Sequence, residues 1–197
     1  NVQIDYKGKA EEQAEAFADM SLALIITFAS IYIILAWLFS SYTTPFLVMS
    51  VVPFGLIGAI IGHYLMGFNL GMFSLLALLG LTGVLVNDSI ILVTTIKRFI
   101  ADGLDLSAAV LEGTRERLRP VILTTLTTIL GLTPILFERS LQAQLVQPLA
   151  ITFVFGMLFS PFLVLFYLPA MMGIAESFKN NISSLVQQIK PGKRQYS

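Results

Sequence analysis

The sequence predicts an all-α membrane protein: a polytopic bundle of five transmembrane helices plus one amphipathic helix at the membrane interface. Of its 197 residues, 56% are hydrophobic and only 12% are charged, whereas soluble proteins carry about 25% charged residues. Finding five long apolar stretches in a chain of this length disfavours the alternative, buried helices of a soluble core. Each stretch reaches about 20 residues, enough to cross a bilayer: Met20–Ser40, Pro45–Met66, Gly71–Ile96, Pro120–Phe137 and Pro148–Ala175.

These spans divide the chain into three predicted parts. Residues 1–19 precede the first span, residues 20–175 form the transmembrane domain, and residues 176–197 form a tail. The chain begins without a methionine, a basic n-region or an early apolar core. We therefore expect a fragment or a processed product.

Aromatic residues and prolines mark the ends and bends of individual spans. Trp37 and Tyr42 follow the first span as interface anchors. The second opens with Thr43–Pro45, a capping residue followed by proline at the first helical position. Pro53 and Pro161 fall within spans, where they are expected to kink the helix.

The second span also carries small residues suited to close helix packing. Gly58 and Gly62 form a small-xxx-small pair, and Gly55 extends the same face. His63 stands near the outer end of the span and is expected to lie at the membrane interface.

Two connecting segments have amphipathic patterns. Asp102–Leu118 places apolar residues at helical spacing, with acidic and basic residues elsewhere, which predicts a helix lying on the membrane surface. Glu176–Gln188 is a weaker second example.

The distribution of basic residues predicts the orientation of the chain. If residues 1–19 lie outside, the loop 97–119 and the tail after Ala175 lie inside, and they hold nine lysines and arginines against three outside. Lysine and arginine favour the cytoplasmic side. The N-terminus is therefore predicted to be periplasmic and the C-terminus cytoplasmic.

Composition excludes several classes of function. The chain has no cysteine, one histidine and a formal net charge of zero. It offers no disulfide, no thiol nucleophile, no predicted metal site and no electrostatic basis for binding nucleic acid. The sequence contains no phosphate-binding loop, so direct use of ATP is not supported, and no cofactor is predicted.

Asp88 is the acidic side chain placed deep within a predicted span. An aspartate near a helix centre costs about 2.5–3.5 kcal/mol on insertion scales and usually faces a protein interior or a wet cavity. Two interpretations stay open: a group that binds and releases protons, or a hydrogen-bonded residue that joins two helices.

Polar and small residues accompany Asp88. Within the third span, Asn87 and Thr94 share a stripe with glycines, and Thr95 lies on the adjacent stripe with Asp88. Threonines in membrane helices often only bond to backbone carbonyls, but their density here predicts a hydrated polar seam. The further members of these stripes, in the third and fourth spans, are Gly80, Gly83, Thr124, Thr125, Thr127, Thr128 and Gly131. Gly80 and Gly83 are also predicted to serve helix packing, like the glycines of the second span.

The order of these motifs resembles the resistance-nodulation-division transporters, from about Gly8 to Ile174. Gly83–Val93 is similar to the tenth span of that family, and Arg117–Thr128 is similar to the entry of the eleventh. Glu138–Ala150 resembles the outer loop and the start of the twelfth span. The likeness is greatest to the branch that exports hydrophobic and amphiphilic (multidrug) compounds.

The resemblance implies a homotrimeric pump of the bacterial inner membrane, in which proton flow drives a periplasmic porter domain. Residues 1–19 would then end the porter region. The chain would need the remaining N-terminal half, which carries the acidic residues of the family's fourth span. A periplasmic adaptor and an outer-membrane channel are further implied partners.

Site residues are carried over by position. Asn87 stands where the family has a relay lysine, Thr124 matches the relay threonine, and Arg117 matches an arginine near the cytoplasmic mouth. The lysine itself is absent, so Asp88 is either a substitute titrating group or a partner for the other half. The predicted mechanism is proton coupling, in which protonation of Asp88 shifts the packing of the third and fourth spans.

Two alternatives remain open at this point. One is a relative of the same architecture that moves lipids or assists protein secretion. The other is a membrane scaffold without transport activity, derived from half of a pump, that binds partner subunits.

Overall fold

The computed structural model describes residues 2–175, and within them all regular secondary structure is helical. The helices are α1 (Val2–Phe39), α2 (Thr43–Met49), α3 (Val52–Met66), α4 (Met72–Ala101), α5 (Leu106–Phe137) and α6 (Leu141–Phe162). A π-helical turn, Leu163–Tyr167, follows α6, and the helix then continues through residues 168–175.

Five segments are long and apolar enough to cross a membrane, which confirms the predicted fold class. These segments are Ala14–Phe39, Thr43–Met66, Met72–Ala101, Leu106–Phe137 and Leu141–Ala175. The second predicted amphipathic segment, Glu176–Gln188, and the rest of the predicted tail lie outside the described residues.

Helix α1 joins the predicted N-terminal segment to the first span without a break. Only 6% of its apolar window is buried, compared with 44–50% for the second, third and fifth spans. Leu35, which is 1% exposed, is its main anchor in the core. The side chains of its apolar span, Ala14–Phe39, are therefore mostly not covered by the other described helices.

The second span is two helices rather than one. The chain breaks between α2 and α3 at Ser50 and Val51, where the Val51 N–H donates to the Val48 carbonyl (3.4 Å) in a tight turn. Pro53 follows in the first turn of α3, where its lack of an N–H costs no helical hydrogen bond. The span ends at Gly67, whose φ of +71° is the left-handed conformation that glycine adopts at helix ends.

The predicted surface helix is not a separate element. Its residues form the first part of α5, which runs through Pro120 without ending. This part packs on the end of α4: the Arg98 guanidinium pairs with the Glu116 carboxylate at 2.6 Å, and a Cβ at Gly113 would lie 2.6 Å from the Ile96 side chain. The amphipathic segment and the fourth span are therefore parts of one helix.

Helix α6 packs against α3, α4 and α5, and glycines allow the close approach. A Cβ at Gly58 would lie 2.8 Å from the Phe155 carbonyl oxygen, and one at Gly62 would overlap the Phe155 side chain. At Gly80 a Cβ would lie 2.7 Å from the Phe153 ring.

Large buried side chains from α4 and the last span fill the bundle centre. Replacing Gly55 of α3 would bring a Cβ into the Leu85 side chain. The buried apolar residues of this core include Val51, Leu81, Leu85, Leu92, Val93, Ile96, Met157, Val164 and Leu168.

His63 corrects the sequence-based expectation of an interfacial residue. The ring is 3% exposed. Its Nδ1 lies 2.9 Å from the Ala59 carbonyl oxygen and its Nε2 lies 2.8 Å from Ser74 Oγ. A carbonyl only accepts, so Nδ1 donates to it, and in a neutral ring Nε2 then accepts from the serine hydroxyl. The histidine therefore joins α3 to the first turn of α4.

The π-helical turn of the last span faces the break in the second. The Tyr167 hydroxyl donates to Ser50 Oγ at 3.3 Å, and its ring centroid lies 4.7 Å from that of Phe54. A π turn widens the backbone and redirects side chains. The π-helical turn and the break between α2 and α3 are thus in direct contact.

Candidate functional site

Asp88 lies near the middle of α4, half-buried. Its Oδ2 atom is buried and accepts no hydrogen bond from the described residues. Buried polar atoms nearly always have a partner, so each exception calls for an explanation. The neighbouring Ser89 is no exception, because its hydroxyl donates to the Leu85 carbonyl at 2.7 Å.

Two other buried side-chain oxygens without a partner stand at about the same level. They are Thr125 Oγ1 of α5 and Ser160 Oγ of α6. The Arg117 side chain of α5 bonds Thr95 of α4, and the two helices are antiparallel. Thr125 is about two turns after Arg117 in α5, and Asp88 is about two turns before Thr95 in α4. Because the helices run in opposite directions, Thr125 and Asp88 lie at about the same height along the bundle.

Ser160 reaches this level from the third helix. Gln147 of α6 bonds the Leu136 carbonyl of α5 at 3.3 Å, and Thr125 lies about three turns back from that point. Ser160 lies three to four turns after Gln147 in α6. The rise from Gln147 to Ser160 is therefore roughly equal to the rise between Leu136 and Thr125, which places Ser160 near the level of Thr125. A fourth such oxygen, Thr114 Oγ1, lies near the start of α5.

The Asn87 side chain is exposed and does not face these buried oxygens. Together with Gly83 and Thr94 it is exposed on α4, while Thr124 and Thr127 are exposed on α5. This set is the α4–α5 polar face. None of the described helices covers it.

Glycines on the α4–α5 polar face also lack neighbours. A Cβ at Gly83 or at Gly131 would meet no atom within 4 Å. In this respect Gly83 differs from the packing glycines of α3, with which the sequence grouped it.

The threonine hydroxyls of the predicted seam bond within their own helices. Thr124 donates to the Val121 carbonyl at 3.0 Å, and Thr128 donates to the Thr124 carbonyl at 2.9 Å. Thr127 and Thr94 do the same with carbonyls three and four residues back. Their hydrogens are therefore used, and their oxygens remain free to accept a hydrogen bond.

Arg117 and Thr95 are brought into direct contact. The Arg117 Nε donates to Thr95 Oγ1 at 3.0 Å, and the same hydroxyl donates to the Ile91 carbonyl at 2.8 Å. Thr95 is 3% exposed. Asp88 lies two turns away and makes no hydrogen bond with Asn87, Thr124 or Arg117 among the described contacts.

Ser160 was not anticipated from the sequence. The signal for it is its position before Pro161 within an apolar span. Pro161 has no N–H to donate to the Met157 carbonyl, so this carbonyl lacks its usual helical hydrogen bond close to the serine. A hydroxyl next to such a proline is a usable marker of polar sites in membrane helices.

Comparison with known proteins shows the family to which the chain belongs. A family model described as the AcrB/AcrD/AcrF family matches residues 1–176. The chain is 29% identical to the swarming motility protein SwrC of Bacillus subtilis over 91% of its length, and 29% identical to the nickel and cobalt resistance protein CnrA of Cupriavidus metallidurans over 87%. A crystal structure of a heavy metal efflux pump superposes with a TM-score of 0.76 at 30% identity over 85% of the chain.

The similarity covers only part of each relative. The chain spans 17% of SwrC, 16% of CnrA and 16% of the heavy metal pump. Five membrane-crossing helices and a match to the family model over nearly the whole chain lead to one conclusion. This multi-pass membrane chain belongs to the AcrB/AcrD/AcrF family of resistance-nodulation-division efflux transporters.

Proposed function

We propose that this chain forms the last five spans of a proton-driven efflux pump of the bacterial inner membrane, with Asp88 as its proton-coupling group. The observation that carries the proposal is the buried Asp88 oxygen without a hydrogen-bond donor, set in the middle of a membrane helix. A charged carboxylate is costly at that depth and a protonated one much less so. A carboxyl in this setting is therefore suited to binding and releasing a proton during transport.

The α4–α5 polar face is the surface against which the rest of the pump packs. Asn87, Thr94 and Thr124 are exposed there, although lipid offers polar groups no hydrogen bonds. The proposed occupant is a polar span from the N-terminal half of the same pump. In this arrangement Asp88 faces the five-helix bundle while Asn87, one position earlier, faces the partner.

The remaining assignments follow the same proposal. The N-terminus is periplasmic, the C-terminus cytoplasmic, and the complete pump a homotrimer that engages a periplasmic adaptor and an outer-membrane channel. Hydrophobic and amphiphilic compounds are the proposed cargo. Metal ions are the second candidate, because two of the similar proteins are described as nickel and cobalt resistance and heavy metal efflux proteins.

The test uses the full-length pump that contains this segment, reconstituted in vesicles with a proton gradient. Asp88→Asn is expected to abolish export and the accompanying proton flux, and Asp88→Glu to keep part of both. Asp102→Asn, at the exposed end of α4, is the matched control and should transport normally. Unchanged export and proton flux in Asp88→Asn would overturn the proposal. Tolerance assays with dyes, detergents and divalent metals then decide between the two cargo classes.

A further inference from the structure

The turn between α1 and α2 forms a small polar cluster with the C-terminal end of α4. The Lys97 ammonium donates to Thr44 Oγ1 at 3.3 Å and lies 4.6 Å from the centroid of the Phe39 ring. The Thr44 hydroxyl donates to Ser41 Oγ at 3.2 Å, and the Thr44 backbone N–H points to the same oxygen at 3.4 Å. We call Ser41, Thr44 and Lys97 the turn cluster.

The turn cluster has unused hydrogen-bond donors and a net positive charge. An ammonium has three N–H donors, of which one goes to Thr44 and one faces the Phe39 ring. The Ser41 oxygen accepts twice, but its own hydrogen donates to no acceptor among the described contacts. Both hydroxyl oxygens are already occupied as acceptors.

No described carboxylate balances this charge. The ion pairs at this end of the bundle join Arg98 to Glu116 and Arg115 to Glu112, and Lys97 takes part in neither. An uncompensated ammonium beside a free hydroxyl donor suits an anionic oxygen, which accepts strong charge-assisted hydrogen bonds.

The surroundings indicate where that anion comes from. Trp37 and Tyr42, which flank the turn, are 85% and 83% exposed. Exposed aromatic residues of this kind lie at the level of lipid headgroups. Leu38 and Phe46 are also exposed on either side, at 55% and 69%, and present apolar surface to acyl chains.

The turn itself is fixed in place before any ligand binds. The Tyr32 hydroxyl donates to the Tyr42 carbonyl at 3.2 Å, and Ser40 takes a φ of +47°. Positive φ is uncommon for residues other than glycine and persists only where the surroundings impose it. Ser41 and Lys97 both contact Thr44, so the two groups with unused donors are held close together, which lowers the entropic cost of binding.

We propose that the turn cluster binds the phosphate of an anionic phospholipid, with Lys97 and the Ser41 hydroxyl as its donors. The bound lipid bridges the first span to the end of α4. Such a bridge matters because α1 buries little of its own surface against the bundle. The site does not depend on proton coupling, and it involves none of the residues of the proposed coupling site.

The test measures lipid binding by the purified protein in a neutral detergent, using native mass spectrometry and thermal melting. Phosphatidylglycerol, phosphatidylcholine and inorganic phosphate are added separately. The wild type should bind and be stabilised by phosphatidylglycerol more than by phosphatidylcholine. Lys97→Gln should weaken phosphatidylglycerol binding at least about fivefold, since one lysine near an anionic surface contributes roughly that factor.

Control variants separate the site from general charge and folding effects. Ser41→Ala should also weaken binding while leaving the charge unchanged, whereas Ser30→Ala, on the exposed side of α1, and Arg139→Gln, in the α5–α6 loop, should not. Equal binding in wild type, Lys97→Gln and Ser41→Ala would overturn the proposal. Stabilisation by inorganic phosphate equal to that by phosphatidylglycerol would also overturn it, because the anion would then not be a lipid.

Discussion

Replacing Gly58 by alanine is expected to force α3 away from α6. A Cβ atom at this position would lie 2.8 Å from the Phe155 carbonyl oxygen and 3.2 Å from the Gly156 Cα. Both are backbone atoms, so neither can turn aside as a side chain can. Carbon contacts are favourable at about 3.5–4.0 Å, so the two helices must separate by roughly half an ångström.

The size of the effect follows from two opposing contributions. Overpacking a well-packed interior costs about 1–3 kcal/mol. The better helix propensity of alanine returns up to about 1 kcal/mol. The expected net loss is up to about 2 kcal/mol, which lowers the ratio of folded to unfolded protein by a factor of up to about 30.

Gly83→Ala is the matched control, because a Cβ there meets nothing within 4 Å. It should be neutral or stabilising by up to about 1 kcal/mol. Both variants are unfolded by titration with SDS in mixed micelles and followed by circular dichroism. An unfolding free energy that falls equally in both variants, or in neither, would refute the packing argument.

Three further changes test single contacts in the structure. Tyr167→Phe removes the hydrogen bond to Ser50 and keeps the ring, so the unfolding free energy should fall by about 1 kcal/mol in the same titration. Gln147→Leu leaves carbonyl oxygens at the end of α5 without their donor and should cost about 1–3 kcal/mol. The hydrogen bond from the Ser107 hydroxyl lowers the pKa of Asp105 below its ordinary value of 3.8, so a carboxyl-labelled NMR titration in micelles should place it lower.

Each of these changes has its own control and its own contrary outcome. Tyr64→Phe and Gln142→Leu alter exposed residues and should leave stability unchanged; equal losses in variant and control would contradict the first two predictions. The lowered pKa means that the stabilising contribution of the Asp105 carboxylate is present above pH 3.8 and disappears as pH falls through its folded pKa. Ser107→Ala should return that pKa towards 3.8, and an unchanged titration would count against the hydrogen bond.

Span number and the deep aspartate could be predicted from the sequence because both depend on composition alone. Five runs of about 20 apolar residues leave few other structures open in a chain of this length. The helix through Pro120 could not be predicted in this way. A proline favours a break, and the contacts that Glu116 and Gly113 make with α4 on the preceding turns are tertiary, so the sequence pattern does not reveal them.

The site was less accessible to sequence reasoning than the fold. Periodicity places Asn87 and Asp88 on adjacent stripes but does not say which stripe faces the bundle. It also cannot show that Ser160 and Thr125 reach the level of Asp88, because that depends on the relative heights of three helices. His63 was misjudged for a related reason: its burial depends on Ser74, a hydrogen-bond partner in another helix.

Relative magnitudes indicate which group controls the proposed coupling. A threonine hydrogen bond on the α4–α5 polar face contributes about 1 kcal/mol, whereas placing an aspartate at the centre of a span costs about 2.5–3.5 kcal/mol on insertion scales. Because Asn87 and Asp88 are consecutive on one rigid helix, a shift of α4 that accommodates the charge at Asp88 must also move Asn87 against whatever covers it. The charge state of Asp88, rather than any single polar contact, would therefore determine how α4 sits between the bundle and its partner.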